Sequence, residues 1–512
     1  MLAIINSCNV YGMDSFLVRV EVDVSNGLPS FDIVGLPDAS VRESKERVRT
    51  AIKNSGFNFP VKRITVNLAP ADIKKEGPLF DLPIALGILK ATEQIGERDS
   101  LNSAAFIGEL SLDGKVRPVP GVLSMADLLS QEKDINCFFV PEENACEAAL
   151  LKELTVYPLQ HLKSLVSFLR HEEDIVPVSV DVDALLHDHS ADDHYDMSEV
   201  KGQHGVKRAL EISAAGGHNV LLIGSPGSGK TMLARRLPSI LPSLTLEESM
   251  EITKIYSISG LLPKGESLIT NRPFRSPHHS ASAASLIGGG RIPKPGEISL
   301  ASHGVLFLDE MLEYNRTVLD ALRQPLEDKV VTVSRAAAVI TYPAKFQLAG
   351  ALNPCPCGFY GDPVKQCTCT PYQIQKYASR ISGPLLDRID ICIDVPRVEY
   401  KDLSSEARPE TSAQIRHRVE KTRKVQIERL KESGITCNAH MERKQIQKYC
   451  KTSPEAKNLL QSAFDQLNLS ARSHDRILKT ARTIADLEES VIIEANHIAE
   501  AIQYRGSGFV KF

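Results

Sequence analysis

Tryptophan is absent from this 512-residue chain, and aromatic residues reach only 5%; that shortage excludes nothing by itself. Other absences say more. No apolar run approaches the roughly 20 residues that a membrane-spanning helix needs, so no membrane partner is expected. Met1 to Val24 lacks a basic region and a small-residue cleavage site, and reads as a strand pair rather than a secretory signal. Ten cysteines without such a signal point to a reducing compartment, the cytoplasm. Positive charge is not in excess: the formal net charge is -4, so any nucleic-acid contact must rest on local cations. Hydrophobic (42%) and charged (24%) content are those of an ordinary soluble protein, and the length suggests roughly two to four domains.

The pattern predicts an α/β multidomain chain. Residues 1–165 alternate strand-like runs (Phe16 to Val24, Arg63 to Asn67, Cys137 to Val140) with a helix over Ala39 to Ser55, where Val41, Val48 and Ile52 fall at near-helical spacing. Residues 166–197 read as an acidic linker. Within it, His171 to Asp196 holds nine acidic residues, four histidines and no lysine or arginine. His171, His187, His189 and His194 suggest a metal only weakly, because such tracts are usually compositional. Residues 198–396 carry short apolar runs at Val220 to Ile223, Val305 to Leu308, Phe346 to Leu352 and Ile389 to Val395, the signature of a covered parallel sheet. Residues 397–512 are charged and helical.

The chemistry begins at Gly224-Ser225-Pro226-Gly227-Ser228-Gly229-Lys230-Thr231. This string follows an apolar strand and opens a helix, the setting in which backbone N–H groups face phosphates. Lys230 is expected to reach the β- and γ-phosphates of ATP, and the Thr231 hydroxyl to ligate Mg²⁺. Val305 to Leu308 ends in Asp309-Glu310, which sets both carboxylates at the carboxyl edge of a strand. Asp309 is expected to hold Mg²⁺ through water and Glu310 to polarise the attacking water. Asn353 ends another strand as a sensor amide. Arg388 precedes a further strand, either as an arginine for a neighbouring subunit's phosphates or as one half of a salt bridge with Asp387 or Asp390.

Longer strings carry a resemblance: Gly216 to Gly224, Pro273-Phe-Arg-Ser-Pro-His-His-Ser-Ala-Ser282, Gly288 to Glu297, Asn353-Pro-Cys-Pro-Cys-Gly358 and Ala481 to Leu487. Over nearly its whole length the chain resembles the magnesium-chelatase-like AAA+ ATPases, and within them a competence-associated group. The resemblance implies a P-loop AAA+ core with a helix-2 insert, a C-terminal helical lid and a homo-oligomeric ring, a hexamer. It also implies Arg388 as an arginine finger acting in trans and Arg472 as the lid's sensor arginine, with Arg476 a rival. Members of the group are DNA helicases that drive branch migration as incoming DNA is integrated, so DNA, single-stranded or branched, is the implied partner.

The residues support that partner in part. Thr231 and Asp309 stand 78 positions apart, which leaves room for an inserted loop. Phe274 to Gly296 brings Gly, Ser, Pro and His together with Arg275, Arg291 and Lys294, a composition suited to gripping a phosphate backbone. Val330 to Ser334 and Ala338 to Tyr342 predict a hairpin with Arg335 near its tip. His278 and His279 read as loop polarity, since no acidic or cysteine partner is near in sequence.

Lys75 to Asp81 and Phe106 to Gly121 resemble the proteolytic domain of Lon-type proteases. Leu79 stands where that family has its serine nucleophile, and Val122-Leu-Ser-Met125 lacks its lysine, so a Lon-protease-like fold without proteolysis is expected. Cys355-Pro-Cys357 and Cys367-Thr-Cys369, nine residues apart, supply by count a tetrahedral Zn²⁺ site; reduced thiols in a cysteine-rich loop are the alternative. An ATPase motor of a metal-inserting chelatase would share this core, but it needs a protein partner and leaves the first domain unexplained.

Overall fold

Asp38 accepts a hydrogen bond from the Val41 amide and so starts the helix Ala39–Asn54, which buries Val41, Val48 and Ile52 on one face. A cap of this kind stabilises a helix by about 1 kcal/mol. In the computed structural model, residues 1–95, 101–187, 195–290, 293–335, 338–398, 409–467 and 469–505 are described. They fall into two units, 1–188 with 246–270, and 189–245 with 271–512.

The first unit is built on seven strands: β1 Leu2–Tyr11, β2 Asp14–Ser25, β3 Ser30–Val34, β4 Arg63–Ala69, β5 Ala104–Phe106, β6 Cys137–Pro141 and β7 Thr155–Leu159. Their order is β3-β4-β2-β1-β5-β6-β7. The register puts Ala3, Ile5, Val18, Val20 and Val22 into one core with the apolar helix Asp81–Ala91. The Lon-like strings are packing elements here. Asp81 is buried and takes a bidentate contact from Arg47 (Nε 2.6 Å, Nη2 3.1 Å). Burial pushes its carboxyl upward and Arg47 opposes the shift.

Two boundaries differ from the sequence reading. The helix Leu246–Ser259 and the chain to Thr270 were expected inside 198–396, but they belong to the first unit. Ser257 donates to Glu147, and the Gly121 amide donates to the Ser257 carbonyl at 3.2 Å. The expected linker is partly folded as well. The Val178 amide donates to the Val156 carbonyl at 2.9 Å, and Val182 is buried with Leu123, Leu150 and Leu268. His189 and His194 lie outside the described residues.

Leu79 is buried, and Leu123 has no exposed surface. Leu123→Lys should therefore destabilise the first unit by about 3 kcal/mol or more, because it replaces an apolar side chain packed with Leu150, Val182 and Leu268 by a long charged one that must leave water. Denaturant melts of the full chain would measure it; a loss under about 0.5 kcal/mol, the scale of an inert surface change, would contradict the burial.

The second unit carries five parallel strands: β8 Val220–Ile223, β9 Phe274–Arg275, β10 Val305–Leu308, β11 Gln347–Leu352 and β12 Ile391–Asp394, in the order β9-β10-β11-β8-β12. β8 and β10 are buried at every position, which explains their unbroken apolar runs. The described residues from 409 to 505 contain helices and no named strand. The string Ala481 to Leu487 anchors them: buried Arg482 donates to Asp486 at 2.9 Å, and Asp486 also pairs with Arg429. Buried His218 joins the start of β8 to the helix Ala471–Leu487 through Thr483 Oγ1 at 2.8 Å.

Candidate active site

The loop after β8 curls because Gly227 (φ 79°) and Gly229 (φ 90°) adopt left-handed backbone that other residues avoid. The helix Lys230–Arg235 begins at once. Lys230 Nζ donates to the carbonyls of Gly224 (2.7 Å) and Ser225 (3.0 Å) and to Oδ1 of Asn353 (3.2 Å). Burial pulls its ammonium below the usual lysine range, while Asp309 and Glu310 pull the other way. Asn353 directly follows β11, which pairs with both β8 and β10, so three adjacent strand ends converge here.

The Thr231 hydroxyl donates to Asp309 Oδ2 at 2.7 Å. Two hard oxygens beside a phosphate-type loop fit Mg²⁺, which takes few protein ligands and leaves its other positions to water and phosphate. Glu310 follows Asp309 at φ 48°, and its amide donates to Asp309 Oδ1 at 3.0 Å. That turn separates the two acids: Asp309 faces Thr231, while the Glu310 side chain stays 59% exposed.

His279 Nδ1 lies 3.8 Å from Glu310 Oε2. Loop polarity was the expectation for His279, and its acidic partner was missed because it lies thirty-one positions away in sequence, on the neighbouring strand's end. His278 packs against His279 with ring centroids 4.1 Å apart and ring planes tilted by 35°.

Arg388 is placed differently from the salt bridge considered for it. Arg388 pairs with Glu327, neither Asp387 nor Asp390, and its side chain is only 11% exposed. No sequence signal identified Glu327. Arg472 is 68% exposed and approaches Asp387 at 4.0 Å. Arg476 donates to the Ile389 carbonyl at 3.2 Å and approaches Asp390 at 3.5 Å. Arg275, expected among the free cations of the insertion, sits on β9 and holds Glu297 through two bonds of 2.7 and 2.8 Å.

Two hairpins converge in the same unit. Gly288–Gly289 pairs with Lys294–Pro295, and Val330–Arg335 pairs with Ala338–Pro343. The Tyr342 hydroxyl donates to the Pro293 carbonyl at 2.7 Å. A methyl group added at Gly289 would lie 3.0 Å from Arg335 Nη2. Lys294 and Arg335 are both exposed; Arg291 lies outside the described residues. The four cysteine sulfurs of Cys355, Cys357, Cys367 and Cys369 gather within 4.8 Å of one another. No helix among the described residues is long and apolar enough to cross a membrane.

Known proteins are similar to this chain in sequence. Residues 196–403 match the family model "Magnesium chelatase, subunit ChlI", residues 20–144 match "Subunit ChlI of Mg-chelatase", and residues 409–505 match its C-terminal model. The chain is 45% identical over 508 residues to competence protein ComM of Haemophilus influenzae, covering 98% of this chain and 97% of that one. It is 43% identical over 512 residues to the uncharacterized protein YifB of Escherichia coli, again covering 98% and 97%. A stretch of 170 residues is 28% identical to Lon protease 2 of Bacillus subtilis, covering 30% of each. With similarity to ComM and YifB running through both units, the chain belongs to the magnesium-chelatase-like AAA+ family, in its ComM and YifB group.

Proposed function

We propose that this chain is an ATP-driven DNA motor: a homo-hexameric, cytoplasmic helicase that drives branch migration when incoming DNA is integrated. The observation that carries this reading is the junction of the two cation-bearing hairpins in the unit that holds the P-loop. The full-length similarity to a competence protein supports it. Residues Gly224 to Lys230 hold the phosphates of ATP, with Lys230 as their cation. Thr231 and Asp309 hold Mg²⁺, which supplies charge neutralisation at the phosphates. Glu310 polarises the attacking water, Asn353 positions it, and Arg388 serves a neighbouring subunit's site. Arg472, or its rival Arg476, reads the nucleotide from the helical lid.

Lys294, Arg335 and Arg291 grip the DNA backbone. The net charge of -4 leaves no general attraction, so the grip depends on these few cations. Replacing all three with Ala should weaken single-strand binding and flatten its salt dependence, by a slope of about 0.7 for each phosphate no longer neutralised. Branch migration should stop. Binding titrations at several salt concentrations and a junction-migration assay would measure both. Migration at the parental rate would refute the grip and favour a motor that acts on a protein partner.

A further inference from the structure

Residues 353–370 join β11 to the helix Pro371–Ala378 without forming a helix or strand. A connection of that length exceeds the roughly 12–15 residues beyond which an irregular loop needs a function or its own fastening. Apolar packing does not fasten it: Val364 is 78% exposed and Tyr360 45%. What joins its two ends is sulfur. Cys355 Sγ lies 3.3 Å from Cys357 Sγ and 3.7 Å from Cys367 Sγ, and Cys357 Sγ lies 3.6 Å from Cys367 Sγ. All four cysteines are free thiols. A tetrahedral Zn²⁺ with Zn–S near 2.3 Å sets its sulfurs about 3.8 Å apart, so this cluster already has nearly the dimensions of the site. Backbone amides point at the sulfurs: Tyr360 N–H donates to Cys355 Sγ at 3.3 Å, and Cys369 N–H to Cys367 Sγ at 3.4 Å. Metal-bound thiolates use such donors to spread their charge.

The same loop backs the P-loop. Gly358 has φ 84°, and a methyl group there would lie 2.5 Å from Pro226 Cδ. Asp362 takes Arg397 Nε at 2.9 Å, and the same Nε reaches Ser225 Oγ at 3.3 Å. The Phe359 ring meets both Lys365 Nζ (4.1 Å from the ring centroid) and the Arg397 guanidinium (5.7 Å). Asn353, at the loop's first position, accepts from Lys230. The loop therefore meets the P-loop at Ser225, Pro226 and Lys230.

We propose that Cys355, Cys357, Cys367 and Cys369 bind one Zn²⁺ as four thiolates, and that this ion fixes the loop against the P-loop so that ATP binding depends on zinc. Binding releases the four thiol protons to solvent and leaves a site of net charge -2, beside Lys365 and Arg397. The zinc site stands on the cysteines alone; the dependence of ATP binding rests on the reading of Lys230 and its loop as the phosphate site.

The test uses the full chain purified under reducing conditions. Elemental analysis should give one zinc per chain, and cobalt exchange should give a thiolate-to-metal charge-transfer band. Cys367→Ser with Cys369→Ser should remove both signals. Gly358→Ala keeps every thiol but presses on Pro226; it should retain zinc yet weaken ATP binding by about 10-fold or more. Zinc removal from the wild type by a chelator should weaken ATP binding, and added Zn²⁺ should restore it, which covers the case in which the serine variant misfolds. Protein without zinc, protein with iron and sulfide in its place, or zinc-depleted protein that binds ATP at parental affinity would overturn the proposal. Zinc-loaded wild type that binds no ATP would instead overturn the phosphate-site reading and leave the metal site standing.

Discussion

Glu310→Gln is expected to lower ATP turnover by about 10²–10⁴-fold, the contribution of a positioned general base, while ATP stays bound. The substitution keeps the side chain's size and the backbone turn at φ 48°. It removes the negative charge that draws on water's proton, because an amide oxygen is far less basic than a carboxylate. Thr231 and Asp309, joined at 2.7 Å, and Lys230 are untouched, so the nucleotide is held without being cleaved. Lys230→Ala should act at the other end. It deletes the cation at the loop and its bonds to Gly224, Ser225 and Asn353, and nucleotide binding should be lost. Filter binding and steady-state turnover on the two variants separate the roles. Glu310→Gln turning over like the parent would remove Glu310 from the chemistry.

Arg388→Ala should cost about 10³–10⁵-fold in turnover, the scale of an arginine supplied to transferring phosphates. The structure sharpens this expectation, because Arg388 is paired with Glu327 within its own chain and, among the described residues, its Nε has no hydrogen-bond partner. A structural ion pair and an arginine finger then predict different results. If the pair only supports the fold, Glu327→Ala reproduces the Arg388→Ala defect and no mixture of subunits recovers activity. If Arg388 acts in trans, rings that mix Arg388→Ala subunits with Lys230→Ala subunits regain ATPase, since some interfaces then combine an intact loop with an intact arginine. Co-assembly without recovery would end the trans assignment.

Legibility followed the range of the interactions. Lys230, Thr231 and the strand ending in Asp309 are readable because the loop, its glycines and the flanking strands are contiguous, and β8 and β10 begin and end where their apolar runs do. The helix Ala39–Asn54 and the hairpin from Val330 to Pro343 are local patterns as well. His279 beside Glu310, Glu327 on Arg388 and Arg397 on Ser225 were not readable, because each joins positions far apart in sequence and no motif links them. Arg275 misled for the opposite reason: its neighbours in sequence look like a cationic loop, while strand pairing sets it opposite Leu306 and its guanidinium holds Glu297 at the start of the helix Glu297–Leu300.

The sequence by itself determined the glycine-rich loop before Lys230, the strand ending in Asp309-Glu310, and the covered parallel sheet. Local backbone geometry and side-chain chemistry specify each of these within a few residues. Only the tertiary structure decided that residues 246–270 pack with the first unit, where Ser257 satisfies Glu147 and Gly121. It alone set the two cationic hairpins side by side and brought four sulfurs within 4.8 Å under the P-loop's flank. Those outcomes depend on which buried polar groups find partners and which apolar faces cover one another, and both are settled by the whole fold rather than by neighbours along the chain.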